Sequence, residues 1–201
     1  NGNYNTLKNH YFYKPQIGIV IGGTGNVVED NEINGVKEWN VGNDADYMRF
    51  FGSDHIIRNN YFHGTDFVND ISTAHVDCFQ TFDNNNVHVY DVTVEKNICI
   101  DCHQGMMLEA KVYHLSDGLI VRNNIFRNNS SWGIANDGIK NLKVFNNVFD
   151  KETYGTAVGC RESSSCEFKN NIMYGGSASS PYWCETGSTC QDAPTDGSGR
   201  G

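Results

Sequence analysis

The chain has 201 residues, of which 38% are hydrophobic, and its formal net charge is −9 at pH 7. No run approaches the roughly 18 consecutive apolar residues of a membrane span, and an excess of acidic groups disfavours binding to nucleic acid, so neither is expected as a partner. The composition suits one elongated domain with a thin, continuous core.

One short phrase recurs seven times along the chain. In chain order the copies are LKNHYF (7–12), VEDNEI (28–33), IRNNYF (57–62), VEKNIC (94–99), VRNNIF (121–126), VFNNVF (144–149) and FKNNIM (168–173). Aligned on the fourth residue, the column reads His10, Asn31, Asn60, Asn97, Asn124, Asn147 and Asn171. The first and last columns of the phrase are apolar in every copy.

An apolar pattern that repeats every 20 to 40 residues or so indicates a solenoid, in which each unit buries its apolar face against its neighbours. Each run here is short, alternating and rich in Val, Ile and Phe, which favours one β-coil per repeat over a pair of helices. Stacked asparagines at one position of each coil can donate to one another. The column therefore predicts an internal Asn ladder.

These phrases resemble the I-x-x-N-N-x-F repeats of right-handed parallel β-helix proteins, the pectate lyase-like superfamily, from Tyr4 to Tyr174. The resemblance implies an all-β, right-handed parallel β-helix of about seven coils. It implies less about function, because this scaffold carries lyases, hydrolases, epimerases, tailspikes and adhesins. We assign residues 1–176 to the β-helix and 177–201 to a disulfide-closed loop and C-terminal tail, with further coils as the alternative.

Seven cysteines without Cys-His metal spacing indicate an oxidising compartment, so a secreted protein is expected. Cys160 and Cys166 bracket one small polar loop, Cys184 and Cys190 bracket another, and each pair is predicted to form a local disulfide. The remaining cysteines are Cys78, Cys99 and Cys102. Because Cys99 lies in an inward column, a buried structural thiol is favoured over a metal or redox role for its C-x-x-C spacing.

A further strand in each coil is predicted from DYMRFFGSD (46–54) and DCFQTFDNN (77–85), which align residue for residue. Alternation along a strand requires one set of side chains to face the core. The more apolar interior places these residues inward: Ile19, Ile21, Met48, Phe50, Phe79, Thr81, Met106, Leu108, Ile134 and Asn136. The outward set is then Tyr47, Arg49, Phe51, Cys78, Gln80, Phe82, Gly105, Met107 and Glu109.

Such an outward face is unusual for a solvated sheet and predicts a binding surface. Sugar rings stack on aromatic side chains while their hydroxyls take polar partners, so a polysaccharide is the expected partner. The predicted substrate-binding residues are Tyr47, Phe51, Gln80, Phe82 and Met107. The alternative is that the two longest coils fold loops over this face and bury its aromatic side chains.

The charged residues most suited to chemistry lie at the start of these strands. Asp46 and Asp77 occupy equivalent places on adjacent coils, so their separation should be about 4.8 Å. Two carboxylates that close raise one pKa or bind a cation, and Ca²⁺ held by Asp46 and Asp77 is the expected metal. His75 adds a group that titrates near neutral pH. The string H-x-D-x-x-Q around it resembles one in secreted β-helix proteins with a presumed carbohydrate groove.

Three functional interpretations follow. A polysaccharide lyase acting on a uronate-containing glycan by β-elimination is favoured, with Arg49 as base or neutralising cation, Lys111 as a second such residue and His75 as general acid. A glycoside hydrolase would use Asp46, Asp77 and Glu109, although the strings N-T-D and R-I-K of polygalacturonases are missing.

The third interpretation is a binding, adhesin or tailspike-type module without catalysis. In that case Asp77 caps a turn and His75 satisfies a neighbouring carbonyl. The net charge of −9 also opposes an acidic substrate unless calcium, or Arg49 with Lys111, reverses the local field.

Overall fold

The computed structural model describes residues 2–83, 87–150, 157–162, 164–175 and 182–192. All regular structure in these ranges is β-strand, and the long sheets are parallel. Each coil contributes one strand to each of three sheets, which we call A, B and C. The architecture is a parallel β-helix, as predicted.

In each coil the chain runs from a strand of sheet A, through the turn that holds the ladder asparagine, into a strand of sheet B. A strand of sheet C then completes the coil. The eight strands of sheet A are Thr6–Lys8, Val27–Glu29, Ile56–Arg58, Thr93–Glu95, Ile120–Arg122, Leu142–Phe145, Ser165–Lys169 and Thr189–Asp192. The seven strands of sheet B are Tyr11–Tyr13, Glu32–Asn34, Tyr61–His63, Ile98–Ile100, Ile125–Arg127, Val148–Asp150 and Ile172–Tyr174. The seven strands of sheet C are Ile19–Ile21, Met48–Phe50, Asp77–Phe82, Gln104–Glu109, Ile134–Asp137, Val158–Arg161 and Tyr182–Cys184. A short parallel pair joins Gly52–Ser53 to Val89–Tyr90.

The predicted Asn ladder is present between sheets A and B. The side-chain Nδ2 of Asn97 donates to Oδ1 of Asn124 on the next coil at 3.0 Å and to the carbonyl of Ile57 on the preceding coil at 3.0 Å. Asn124 repeats both bonds, to Asn147 and to Val94. Each buried amide is thus satisfied by its neighbours, so the turn needs no water.

The residue before each ladder asparagine explains why this turn is sharp. It has a left-handed backbone in all seven copies, with φ between 53° and 59° at Asn9, Asp30, Asn59, Lys96, Asn123, Asn146 and Asn170. Asparagine and aspartate tolerate this region better than other non-glycine residues, and six of the seven positions hold one of them.

The core runs along the axis of the solenoid, and the predicted inward residues of sheet C face it. Met48, Phe50, Phe79, Met106 and Leu108 are fully buried, Thr81 and Asn136 are also buried, and Ile21 at the edge coil is half-buried. Within the core Asn136 donates to the carbonyl of Ile139 and accepts from its amide. The inward half of the alternation prediction is therefore confirmed.

The outward half of the alternation prediction is wrong at its first position on each coil. Tyr47 and Cys78 are fully buried, and Tyr47 stacks on Phe62 of sheet B at 5.5 Å between ring centroids. The equivalent Gly105 makes room for a neighbour, since a Cβ there would collide with Phe126. At this corner the chain turns from sheet B into sheet C, so the side chain points into the core instead of outward.

The structure contains three disulfides. Cys160–Cys166 and Cys184–Cys190 are paired as predicted, and they stack in register because Cys160 lies beside Cys184 and Cys166 beside Cys190. The third bond joins Cys78 to Cys99. Cys99 is therefore buried as expected, but it is a disulfide partner and not a thiol.

Residues 182–192 continue the β-helix beyond the predicted domain boundary. The predicted boundary between residues 176 and 177 lies outside the described residues, while Tyr182–Cys184 and Thr189–Asp192 add strands to sheets C and A. None of the described chain forms a helix with the length and apolarity needed to cross a membrane.

Candidate functional site

The outward face of sheet C gathers most of the predicted site residues. In one column Arg49 lies beside Gln80, Gln80 beside Met107 and Met107 beside Ala135, and the column continues through Gly159 to Trp183. A second column contains Phe82, Glu109, Asp137 and Arg161. Equivalent positions on parallel coils lie about 4.8 Å apart, so each column is a row of lateral neighbours.

Asp46 is a buried carboxylate held by two partners. Its Oδ2 accepts from Nε of Arg49 at 2.7 Å and pairs with Nη2 at 2.6 Å, while its Oδ1 accepts from the backbone amide of Asp77 at 3.0 Å. Burial raises its pKa, and the Arg49 guanidinium opposes that shift. Arg49 also pairs with Asp44 at 3.2 Å, so its guanidinium is clamped by two carboxylates.

Asp77 is the more unusual carboxyl of the pair. It is 1% exposed, and its Oδ1 has no hydrogen-bond partner. Burial raises its pKa well above the ordinary value, and the negative charges of Asp46, Asp44 and Glu109 add to the rise. A carboxyl in this environment keeps its proton at a pH where an ordinary aspartate has lost it.

Other buried polar atoms without partners lie on the strand of Asp77 and on the following coil. They are Oε1 of Gln80 and Oγ1 of Thr81 on the same strand, and Oε1 of Gln104 and Nδ1 of His103 on the following coil. Gln104 lies directly beside Asp77 in the sheet, and the amide of His103 donates to the carbonyl of Val76 at 2.8 Å. Buried polar groups are normally paired, so this cluster has hydrogen-bonding capacity that a polar ligand could use.

His75 is exposed and stands beside a second histidine. The rings of His75 and His103 meet edge to face, with their centroids 4.7 Å apart. Burial lowers the pKa of His103, and the neighbouring His75 lowers it further. His103 is consequently a neutral imidazole near pH 7, the form that accepts a proton.

The aromatic part of the face is partly covered. Phe51 and Phe82 are half-buried and meet edge to face at 4.9 Å, and Arg49 lies 5.9 Å from the Phe82 ring centroid. Both phenylalanines line a pocket that His88 and Tyr90 also line. Met107 is half-buried and Gln80 is buried, so part of this face is open to solvent and part of it is covered.

Glu109 and Lys111 lie at the far end of the strand that begins beside Asp77. Burial raises the pKa of Glu109, and Lys111, whose Nζ is 3.9 Å from Glu109 Oε1, opposes this. Asp137, on the next coil, binds Arg161 through both carboxylate oxygens at 2.5 and 2.6 Å. The two ends of the face thus differ: carboxyls crowd at Asp77, whereas charges are paired at Arg161.

A buried glutamate anchors the chain segment that leads into Asp77. Glu38 accepts hydrogen bonds from the amides of Ser72, Thr73 and Ala74 and from that of Gly42. These bonds, with the one from Thr73 having the largest effect, lower its pKa to about 2. The carboxylate ties segment 38–42 to segment 72–74, immediately before His75.

Several sequence expectations need correction or extension. Tyr47 presents no surface to a substrate, because it is fully buried and its hydroxyl is hydrogen-bonded to Thr65 at 2.7 Å. His103, Gln104 and Trp132 were not predicted as site residues. Gln104 could have been found from sequence. In the alignment of the sheet C strands it stands just before GMMLEA, at the position that Asp77 occupies just before CFQTF.

Possible metal ligands are sparse at the predicted calcium site. Within the described ranges, no third His, Cys, Asp or Glu joins Asp46 and Asp77 in a cluster of metal-binding dimensions. The cluster that does meet this criterion is Cys78, Cys99 and Cys102, but Cys78 and Cys99 form a disulfide and offer no thiolate to a metal. Calcium at Asp46 and Asp77 stays a prediction.

Comparison with known proteins places the chain by its fold. No curated protein sequence matches it. Among solved structures, a mutant of the PL6 family alginate lyase AlyGC is similar over 89% of this chain and 37% of that chain, with 10% identity and a TM-score of 0.29. The chain therefore spans little more than a third of that lyase's length. The family model described as "Right handed beta helix region" matches residues 1–173, and the chain accordingly belongs to the right-handed β-helix family.

Proposed function

We propose that this chain is a secreted, carbohydrate-active β-helix protein that binds a uronate-containing polysaccharide on the outward face of sheet C and cleaves it by β-elimination. The observation that carries the proposal is the Asp77 carboxyl, which is buried among other carboxylates with one oxygen unpartnered. Perturbed carboxyls of this kind concentrate at functional sites. The three disulfides support the extracellular assignment.

β-Elimination requires that the charge on the uronate carboxylate be neutralised while the adjacent carbon loses its proton. A protonated Asp77 leaves no repelling charge beneath that carboxylate, and Arg49 on the preceding coil, whose side chain is 21% exposed, supplies a fixed positive charge. Donors placed where negative charge develops are usually worth about 10²- to 10³-fold in rate. We assign Asp77 and Arg49 this neutralising role.

Proton transfer needs a base and an acid. Arg49 is a poor base because arginine is always charged in proteins and because its guanidinium is paired with Asp46 and Asp44. His103 is better suited, since its lowered pKa keeps the imidazole neutral. The base takes the proton at the carbon next to the carboxylate, a double bond forms as the glycosidic C–O bond breaks, and His75 protonates the departing oxygen.

Hydrolysis by paired carboxylates is less well supported. Glu109 lies beside Phe82, at the opposite end of the strand from Asp77, so the backbones of the two residues are about 16 Å apart at about 3.3 Å per residue. Glycosidase carboxyls are about 5 to 9.5 Å apart. The pair Asp46 and Asp77 is close enough, but both Asp46 oxygens already accept hydrogen bonds.

A calcium ion bound by Asp46 and Asp77 would compete with Arg49 for Asp46. It would also need further oxygen ligands, since Ca²⁺ takes about six to eight. Calcium at this pair stays a proposal despite these two obstacles, and assaying cleavage with calcium and with a chelator tests it.

The test is a panel of polysaccharides assayed in parallel for the ultraviolet absorbance of unsaturated products and for new reducing ends. A lyase gives both signals on a uronate polymer, a hydrolase gives reducing ends alone, and a binding module gives neither. Reducing ends without absorbance would replace β-elimination by hydrolysis.

On the polymer that gives the absorbance signal, Asp77→Leu should lower turnover by about 10²-fold or more. Asp77→Asn, which keeps a neutral hydrogen-bond donor, should retain more activity than the leucine variant. Asp150→Leu is the matched control, because Asp150 lies on sheet B and also has an unpartnered Oδ1. Wild-type turnover in Asp77→Leu would show that the site has been placed wrongly.

A further inference from the structure

Two tryptophans meet on the outward face of sheet C, away from Asp77. Trp132 lies just before the strand Ile134–Asp137, and Trp183 lies in the strand Tyr182–Cys184. Their ring centroids are 5.6 Å apart and the ring planes are tilted by 37°. Trp183 is 39% exposed, so this aromatic pair is accessible from solvent.

The strand between the two indole rings leaves space for the Trp132 ring. Gly159 lies between Ala135 and Trp183 in the sheet, and a Cβ at Gly159 would collide with the six-membered ring of Trp132. Its φ is not positive, so the glycine is needed for space and not for backbone conformation. Trp132 therefore lies against the strand that separates it from Trp183.

Polar groups are fixed at the edge of this aromatic pair. The Arg161 guanidinium lies 5.2 Å from the Trp132 ring centroid and pairs with both oxygens of Asp137. Since a guanidinium has five N–H donors, some remain after the two bonds to Asp137. A flat apolar surface beside fixed donors matches a pyranose ring, which has an apolar C–H face and hydroxyls at its rim.

We propose that Trp132, Trp183 and Arg161 form a glycan-binding subsite, separate from Asp77, that holds a remote part of the same polysaccharide chain. The inference rests on the proposed function for the identity of the polymer. Trp132 is two coils beyond Asp77 and Trp183 is four, which correspond to about 10 and about 19 Å along the axis. A pyranose unit is about as long as the axial rise of one coil, about 4.8 Å, so the subsite lies roughly two to four sugar units from Asp77.

This distance makes the effect of the subsite depend on chain length. Trp183→Ala should raise KM about fivefold for hexa- and octasaccharides, the scale of one lost aromatic contact, and leave KM for di- and trisaccharides and kcat unchanged. Gly159→Ala, which displaces Trp132, should act in the same direction. Tyr11→Ala is the control, because Tyr11 is an exposed aromatic residue on sheet B, away from both proposed sites.

Oligosaccharides from disaccharide to octasaccharide, prepared from alginate and from polygalacturonate, serve as probes for kinetics and for titration of tryptophan fluorescence. If the wild type cleaves long chains and Trp183→Ala keeps the wild-type KM for them, the subsite is refuted while the proposed function stands. An equal effect of Trp183→Ala on short and long chains also refutes it. If no chain is cleaved but long chains bind the wild type and bind Trp183→Ala more weakly, the subsite stands and the proposed function fails.

Discussion

The outward faces of sheets A and C use the same backbone frame in opposite ways. On sheet A one column reads Lys8, Glu29, Arg58, Glu95 and Arg122, so that the sign of the charge alternates from coil to coil. Arg58 pairs with Glu29 at 2.6 Å, and Arg122 pairs with Glu95 at 2.7 Å. On sheet C two carboxylates, Asp46 and Asp77, occupy neighbouring coils and are buried.

The contrast between the two sheets shows where this molecule departs from an arrangement that favours stability alone. Opposite charges in register are mildly stabilising, and like charges in register are destabilising. Sheet A follows that rule throughout the column, with partly exposed arginines. Sheet C breaks it where the chain also leaves polar atoms unpartnered, and such local conflicts are expected at functional sites.

The largest expected effect of this contrast is on stability at Arg49. Arg49→Met leaves Asp46 buried without its cation, which should cost about 3 kcal/mol at pH 7 in chemical denaturation. The double variant Arg49→Met/Asp46→Asn should recover part of that loss, because no buried charge remains. A loss below about 1 kcal/mol in the single variant would mean that the Asp46 pair behaves like an exposed one.

A second effect concerns the pH dependence of stability, and it comes from Asp77. Its pKa is raised in the folded state, so the folded protein binds more protons than the unfolded chain above about pH 3.8, and stability falls as pH rises through the folded pKa. Asp77→Asn removes this loss. The variant should be about 1–3 kcal/mol more stable than the wild type at high pH and nearly equal near pH 3.

Thermal unfolding of both proteins across pH checks this. A constant difference between Asp77→Asn and the wild type from acid to alkaline pH would contradict a raised pKa in the folded state.

The fold could be predicted from sequence because its determinants are local and repeated. The Asn column and its apolar flanks recur seven times, and each ladder bond joins two copies of the same phrase. The pairing of Asp46 with Asp77 followed from the same frame. Because the repeat aligns equivalent positions of successive coils, the contact between Asp46 and Asp77 could be predicted although the two residues are far apart in sequence.

The corner at which sheet C begins could not be placed by alternation, because the chain bends there and the period of two does not apply. Tyr47 and Cys78 consequently face the core. A weak sequence signal did exist: Gly105 and Gly133 occupy the same column, each opposite a phenylalanine of sheet B that needs the space. The histidine pair was missed because His103 belongs to a loop of different length from that of His75.

The smallest expected effect lies on sheet A and completes the comparison with Arg49. Arg122 pairs with Glu95 through Nε and Nη2, at 2.7 Å each, a geometry as short as that of Arg49 with Asp46. Its side chain is 47% exposed, however, so water screens the pair and rehydrates Glu95 when the arginine is removed. Arg122→Met should therefore cost less than about 1 kcal/mol, and less still at high salt. Chemical denaturation of Arg49→Met and Arg122→Met side by side measures how much burial contributes to the energy of an ion pair, because the hydrogen-bond geometry of the two pairs is the same. Equal losses of stability in the two variants would rule burial out as the cause.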